Sequence, residues 1–156
     1  MSVTSPKFGA STAITITLDA LADAAARQST AVDNTSTLFQ DALLSLEIPV
    51  AAGSPADLEA IYVYAYGSQD GTNFGDNATG SDAALTMRVP TNLRCIGGIQ
   101  VTASGALTWK SQPISVARAF GGVLPPKWGI VVQNLTGLAF GTGCTANFTG
   151  VNTQSV

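Results

Sequence analysis

Apolar and polar residues alternate along much of this chain. In "TAITITLDA" Ile14, Ile16 and Leu18 share one face against Thr15, Thr17 and Asp19, and in "LLSLEIPV" Leu44, Leu46, Ile48 and Val50 oppose Ser45 and Glu47. A period of two is that of a β-strand with one buried face. The same pattern predicts strands in "IYVYAY", "RCIGGIQVTA" (Cys95, Ile99 and Val101 on one face), "LTWKS", "PISVARAF" (Ile114, Val116), "WGIVVQN" (Trp128, Ile130, Val132) and "CTANFTGV" (Cys144, Ala146, Phe148). Between them lie turn-forming stretches such as "SQDGTNFGDNATGSD", "GGVLPPK" and "LTGLAFGTG". Eight or so short strands with regular turn signals imply an all-β chain folded as an antiparallel β-sandwich, jelly-roll-like in its connections.

Two segments compete with that reading locally. "LDALADAAAR", Leu18 to Arg27, is rich in alanine and carries Asp19 and Asp23 early and Arg27 late, which favours one short helix. "SPADLE" offers Ser54 as a cap and Pro55 at a first helical position, which predicts a single turn. Residues 1–12 carry one lysine and no apolar period, and are expected as a flexible N-terminal arm before a single domain over 13–156.

All three tyrosines, Tyr62, Tyr64 and Tyr66, occupy alternate positions of one strand, with Ile61, Val63 and Ala65 on its other face. Neither face is plainly polar. The tyrosine face is expected to pack against a second layer, either the opposing sheet or a neighbouring subunit, or else to offer rings on which sugars stack. Tyr62, Tyr64, Tyr66, Trp109 and Trp128 are therefore the candidate interaction residues.

Composition narrows the function. Charged residues make up 11% of the 156 residues, and the polar share is carried by Thr, Ser, Asn, Gln and Gly, which suits surfaces that meet other proteins. Residues 1–60 hold seven acids against Lys7 and Arg27, a balance of −5, whereas 61–156 hold three acids against five cations, a balance of +2. Five scattered cations are too few to track a phosphate backbone, so no nucleic acid partner is expected. No segment has the uninterrupted apolar run of a membrane span, and the N-terminus has no secretion signal, so synthesis in the cytoplasm of the producing cell is expected.

The chemistry of catalysis is thinly represented. Histidine is absent, which removes the usual general base and the commonest metal ligand. Cys144, in "GTGCT", follows a glycine as some nucleophiles do, but the chain has no customary partner for it; Cys95 and Cys144 are expected as buried free thiols. Asp70, Asp76 and Asp82 sit in one Gly-rich loop, where turn formation is the simpler role for them than paired acid catalysis. "DGTNFGDN" in that loop is rich in oxygen ligands, yet Phe74 breaks the spacing of a calcium loop. No catalytic residue, metal or cofactor is assigned, and the chain is expected not to be an enzyme.

Several of these segments together carry a resemblance. "LADAAARQST", "GSQDGTNFGDNATGSDAA", "PTNLRCIG" and "FGGVLPPKWGIVVQN" make the chain, from about Thr12 to Phe140, similar to a group of small structural proteins of tailed bacteriophages. The resemblance implies a β-sandwich virion component, a capsid decoration or cement protein on the outside of the assembled head. It also implies major capsid protein or other virion subunits as partners, with self-association, a trimer being favoured. The same sandwich occurs in phage fibre and tail components, so a carbohydrate-binding or host-attachment module is the alternative.

Overall fold

The computed structural model describes residues 3–51, 53, 60–102 and 106–155. They form eleven strands: β1 (Thr4–Ala13), β2 (Ala26–Gln28), β3 (Val32–Asp33), β4 (Asp41–Val50), β5 (Ala60–Ser68), β6 (Ala83–Ala84), β7 (Arg94–Gln100), β8 (Leu107–Lys110), β9 (Ile114–Ser115), β10 (Lys127–Leu135) and β11 (Thr145–Ser155). The one helical element among the described residues is a 3-10 turn over Ala117–Phe120. Three of the strands, β3, β6 and β9, are two residues long, and the remaining eight are longer.

The strand order defines the topology. The first sheet runs β1-β11-β4-β8, with β9 also on β4, and the second runs β6-β2-β10-β5-β7, with β3 also on β10. Every pairing is antiparallel. Strands pair from the outside of the chain inwards: β1 with β11, β2 and β3 with β10, β4 with β8 and β9, β5 with β7. A long hairpin folded over itself in that nested way is the jelly roll.

The core lies between the sheets. Leu44, Leu46, Ile48 and Val50 of β4 point inward, as their alternation predicts, and meet Ile61 and Val63 of β5 and Trp128, Ile130 and Val132 of β10. Trp128 stacks edge-on against Phe148 of β11, ring centroids 5.2 Å apart.

Four expectations change. Ile14, Ile16 and Leu18 do alternate in burial, but the segment carries no ladder: it crosses from one sheet to the other, Ile14 N–H donating to Ala146 and Thr30 N–H to the Thr15 carbonyl. The expected helix at Leu18–Arg27 is instead two tandem turns followed by β2. Leu21 N–H donates to the Leu18 carbonyl and Ala25 N–H to that of Ala22, with Ala20 (φ 59°) and Ala24 (φ 60°) left-handed. Alanine propensity loses here because the aspartates capture outside donors. Asp19 accepts from the N–H groups of Gly143 and Cys144, and Asp23 from that of Gly137, pinning each turn to the connection between β10 and β11. In β7 a bulge at Ile96, which has no partner on β5 between the Gly97 and Cys95 pairs, resets the alternation, so Ile96 and Ile99 both point inward and Cys95 is exposed.

Fourth, residues 4–12 of the expected arm, together with Ala13, form β1 on the edge of the first sheet. Thr4 to Lys7 pair with Asn152 to Ser155, beyond Val151, the last residue of β11 that pairs with β4, so this part is a two-stranded ribbon. The expected turn at Ser54 and Pro55 lies outside the described residues.

Candidate functional site

The tyrosine row stands on the outer face of the second sheet, with Ile61, Val63 and Ala65 on its other side in the core. The opposing sheet therefore does not cover the rings. Their cover comes from the chain itself: residues 69–93, the connection between β5 and β7, fold back over one half of this face.

Tyr66 lies deepest, at 1% exposure. Its ring crosses over Gly129, its partner on β10, and its hydroxyl donates to the Ser29 carbonyl oxygen at 2.6 Å. Phe74 of the covering segment meets the ring edge-on at 5.4 Å, and Leu85, Leu93, Ala26 and Val131 complete a second small core. Burial pushes the Tyr66 hydroxyl pKa up to about 12, which keeps it protonated as a donor. Tyr64 is half-buried and its hydroxyl donates to Gln133 Oε1 at 3.3 Å; burial raises its pKa as well. Tyr62 is exposed. One row thus grades from core to solvent along a single strand.

The covering segment is fastened by polar pairs. The buried Gln28 amide donates to Thr79 Oγ1 (2.7 Å) and accepts from the Thr79 N–H (2.9 Å), while β6 extends β2. The three loop acids serve the same end at separate places. Asp70 accepts from the N–H and the side-chain amide of Asn73, from the Thr72 N–H and from Ser68 Oγ, and these bonds hold its carboxyl well below the usual range. Asp76 accepts from Thr91 Oγ1 and both nitrogens of Asn92, and its pKa is likewise lowered, first by the Thr91 hydroxyl. Asp82 forms an ion pair with Arg27 at 2.6 Å and accepts from Thr17. They are turn and clamp residues, each with its own donors. Among the described residues no group of three His, Cys, Asp or Glu is gathered as a metal would require.

Cys144 is half-buried, and burial together with the neighbouring Asp19 carboxylate pushes its thiol up to about 12. A thiol so protonated is a poor nucleophile. Of the tryptophans, Trp109 on β8 is partly buried against the core, and Trp128 is fully enclosed, its Nε1–H without an acceptor among the described residues. Trp128 and Tyr66 are thus packing residues of this chain. Tyr62, Tyr64 and Trp109 retain surface.

Sequence reasoning did not single out a second group. Phe8 (61% exposed), Leu38 (69%) and Val123 (63%) stand on the β1 ribbon, the connection 34–40 and the connection 121–126, all at one end of the sandwich. Hydrogen bonds from Gln40 N–H to Val151 and from Leu124 N–H to Gln40 join these elements. Leu38 is left-handed (φ 51°). Their signal in sequence was faint, one or two large apolar residues in each polar or glycine-rich stretch: Phe8, Leu38 with Phe39, and Val123 with Leu124.

No protein-family model matches the chain, and no curated protein and no solved structure matches it. Among the described residues no helix is long and apolar enough to cross a membrane.

Proposed function

We propose that this chain is a non-enzymatic structural protein of a bacteriophage virion, a capsid decoration or cement protein that binds and stabilises the assembled head as a homo-oligomer, a trimer being favoured. Its partners are then the major capsid protein or other virion subunits, and its place is the capsid surface after synthesis in the host bacterial cytoplasm.

The observation that carries this reading is the apolar end of the sandwich. Phe8, Leu38 and Val123 each expose more than half of their surface there. Leu38 does so from a backbone conformation that itself costs about 1–2 kcal/mol. The turn is held by Asn34, whose backbone carbonyl accepts from Leu38 N–H and whose side chain bonds the Phe39 backbone, so the chain uses its own hydrogen bonds to present Leu38 outward. Exposed apolar side chains are expected where a neighbouring subunit completes the packing. Beside them runs an open groove of about 620 Å³ lined by Phe120, Val123, Leu124, Pro125 and Pro126, which carries no charge to desolvate. Contacts of modest strength suffice on a capsid, since a repeating lattice multiplies them through effective concentration.

The test is a pair of measurements on purified protein. Light scattering at low and high salt should give a trimer at both, because apolar contacts are not screened. Empty heads incubated with the protein should then resist heat better than bare heads. A monomer at every concentration that leaves head stability unchanged overturns the proposal.

A further inference from the structure

The covered half of the tyrosine face ends at Tyr64, and what lies beyond it has the chemistry of a ligand site. Tyr62 is 37% exposed and Leu135 36%. Directly opposite Tyr62 on β7 stands Gly98, and on β10 Gln133; Gln100 follows two pairs along on the same face, opposite Ala60. A Cβ at position 98 would lie 3.6 Å from Cδ1 of Tyr62, so the glycine leaves one flank of the ring without a neighbouring side chain. Ala60, Tyr62, Gly98 and Gln100 line a shallow, open depression of about 450 Å³, room for one or two sugar rings.

The geometry points to a binding site for a neutral saccharide, with Tyr62 as the stacking platform and the amides of Gln100 and Gln133 as hydroxyl partners. A pyranose has a face of C–H bonds that packs on a flat aromatic ring, and its vicinal hydroxyls both donate and accept, as a primary amide does. Gln100 makes no side-chain hydrogen bond among the described residues, and the Gln133 amide nitrogen is likewise uncommitted, its Oε1 taking the Tyr64 hydroxyl. None of Ala60, Tyr62, Gly98, Gln100, Gln133 and Leu135 is charged. Among the described residues that line the depression an anionic sugar would find no countercharge, which is why the ligand class is neutral. Because Gly98 is small, a ring can descend beside Tyr62 to reach Gln100. The inference stands apart from the virion reading, for a sugar site serves a free protein or a capsid-bound one equally.

The experiment starts from an array of neutral and anionic oligosaccharides probed with the intact protein. It continues with amide NMR titrations using maltotetraose, cellotetraose and chitotetraose. Saturable shifts at Gly98 and Gln100 are expected with at least one neutral glycan, at dissociation constants on the order of 0.1–1 mM for so small a contact. Tyr62→Ala should weaken binding by about tenfold or more, and Tyr62→Phe, which keeps the ring, should stay within about threefold. Gln100→Ala should fall between them. Tyr62 and Gln100 are exposed, so these variants are expected to keep the fold, which the same spectra report. No saturable binding to any neutral glycan, a preference for anionic ones, or binding that survives Tyr62→Ala overturns the proposal.

Discussion

Gly129→Ala perturbs the contact on which the covered half of the tyrosine face depends. A Cβ on residue 129 would lie against the Tyr66 ring, well inside the 3.0 Å that real Cβ atoms keep from their neighbours. Neither side has room to yield: Gly129 sits in the ladder opposite Tyr66, and Tyr66 is 1% exposed with Phe74 against its edge. Overpacking of this kind costs about 1–3 kcal/mol. Displacing the ring also breaks the Tyr66 bond to the Ser29 carbonyl, worth about 0.5–1.5 kcal/mol net. The variant should therefore lose about 2–4 kcal/mol, read as a lower urea midpoint at unchanged m-value and as a drop in Tm of roughly 5–15 °C for a chain of this size. Tyr66→Phe, which removes only the hydroxyl, should lose about 1 kcal/mol. In a Tyr66→Ala background the clash is gone, so adding Gly129→Ala should cost less than about 0.5 kcal/mol. A Gly129→Ala protein within about 0.5 kcal/mol of wild type, or equally destabilised in both backgrounds, would refute the placement of Tyr66 over Gly129.

Other consequences follow from the same structure. Ala20 and Ala24 stand where glycine is at ease, so Ala20→Gly and Ala24→Gly should each stabilise by about 0.5–1 kcal/mol in urea titrations, whereas a helical segment would lose about that much. At pH 8 Ellman's reagent should modify the exposed Cys95 quickly. With a pKa near 12, Cys144 should hold only about 10⁻⁴ of its thiol as thiolate and react only after unfolding, and two fast thiols would contradict its burial. In alkali the unfolded chain ionises a tyrosine near pH 10, while folded Tyr66 keeps its proton to about 12. Stability is therefore intact below pH 10 and falls as pH climbs through that window; Tyr66→Phe should flatten the fall, and an unchanged slope would place Tyr66 in solvent.

The strands that were legible in sequence are those with one apolar face on the core. β4 and β11 alternate cleanly because Leu44 and Phe148 and their alternate neighbours face the core while the residues between them are more exposed. β10 was legible through Trp128, Ile130 and Val132 on its core face, although Val131 is buried on the other. β1 gave no such signal, since nearly all of its side chains are exposed and a ladder without a buried face has no binary pattern. β7 misled through its bulge, which turned two isoleucines three residues apart to the same side. The alanine-rich turns misled through distant donors, since nothing near Asp19 in sequence announces that Gly143 and Cys144 will supply them. The tyrosine row was recognised as two-sided, but its cover was not: Phe74, Leu85 and Leu93 are sparse apolar residues in a segment dominated by turn formers. Only folding the segment back shows that they share a face.

The central claim, that the chain is a capsid-binding virion protein, is tested most directly by co-sedimenting purified protein with empty phage heads across a concentration series. Binding that saturates at a fixed, symmetry-compatible number of copies per head, and that is weakened by Leu38→Ser or Val123→Ser, is the predicted result. Protein that stays in the supernatant at every concentration would contradict it.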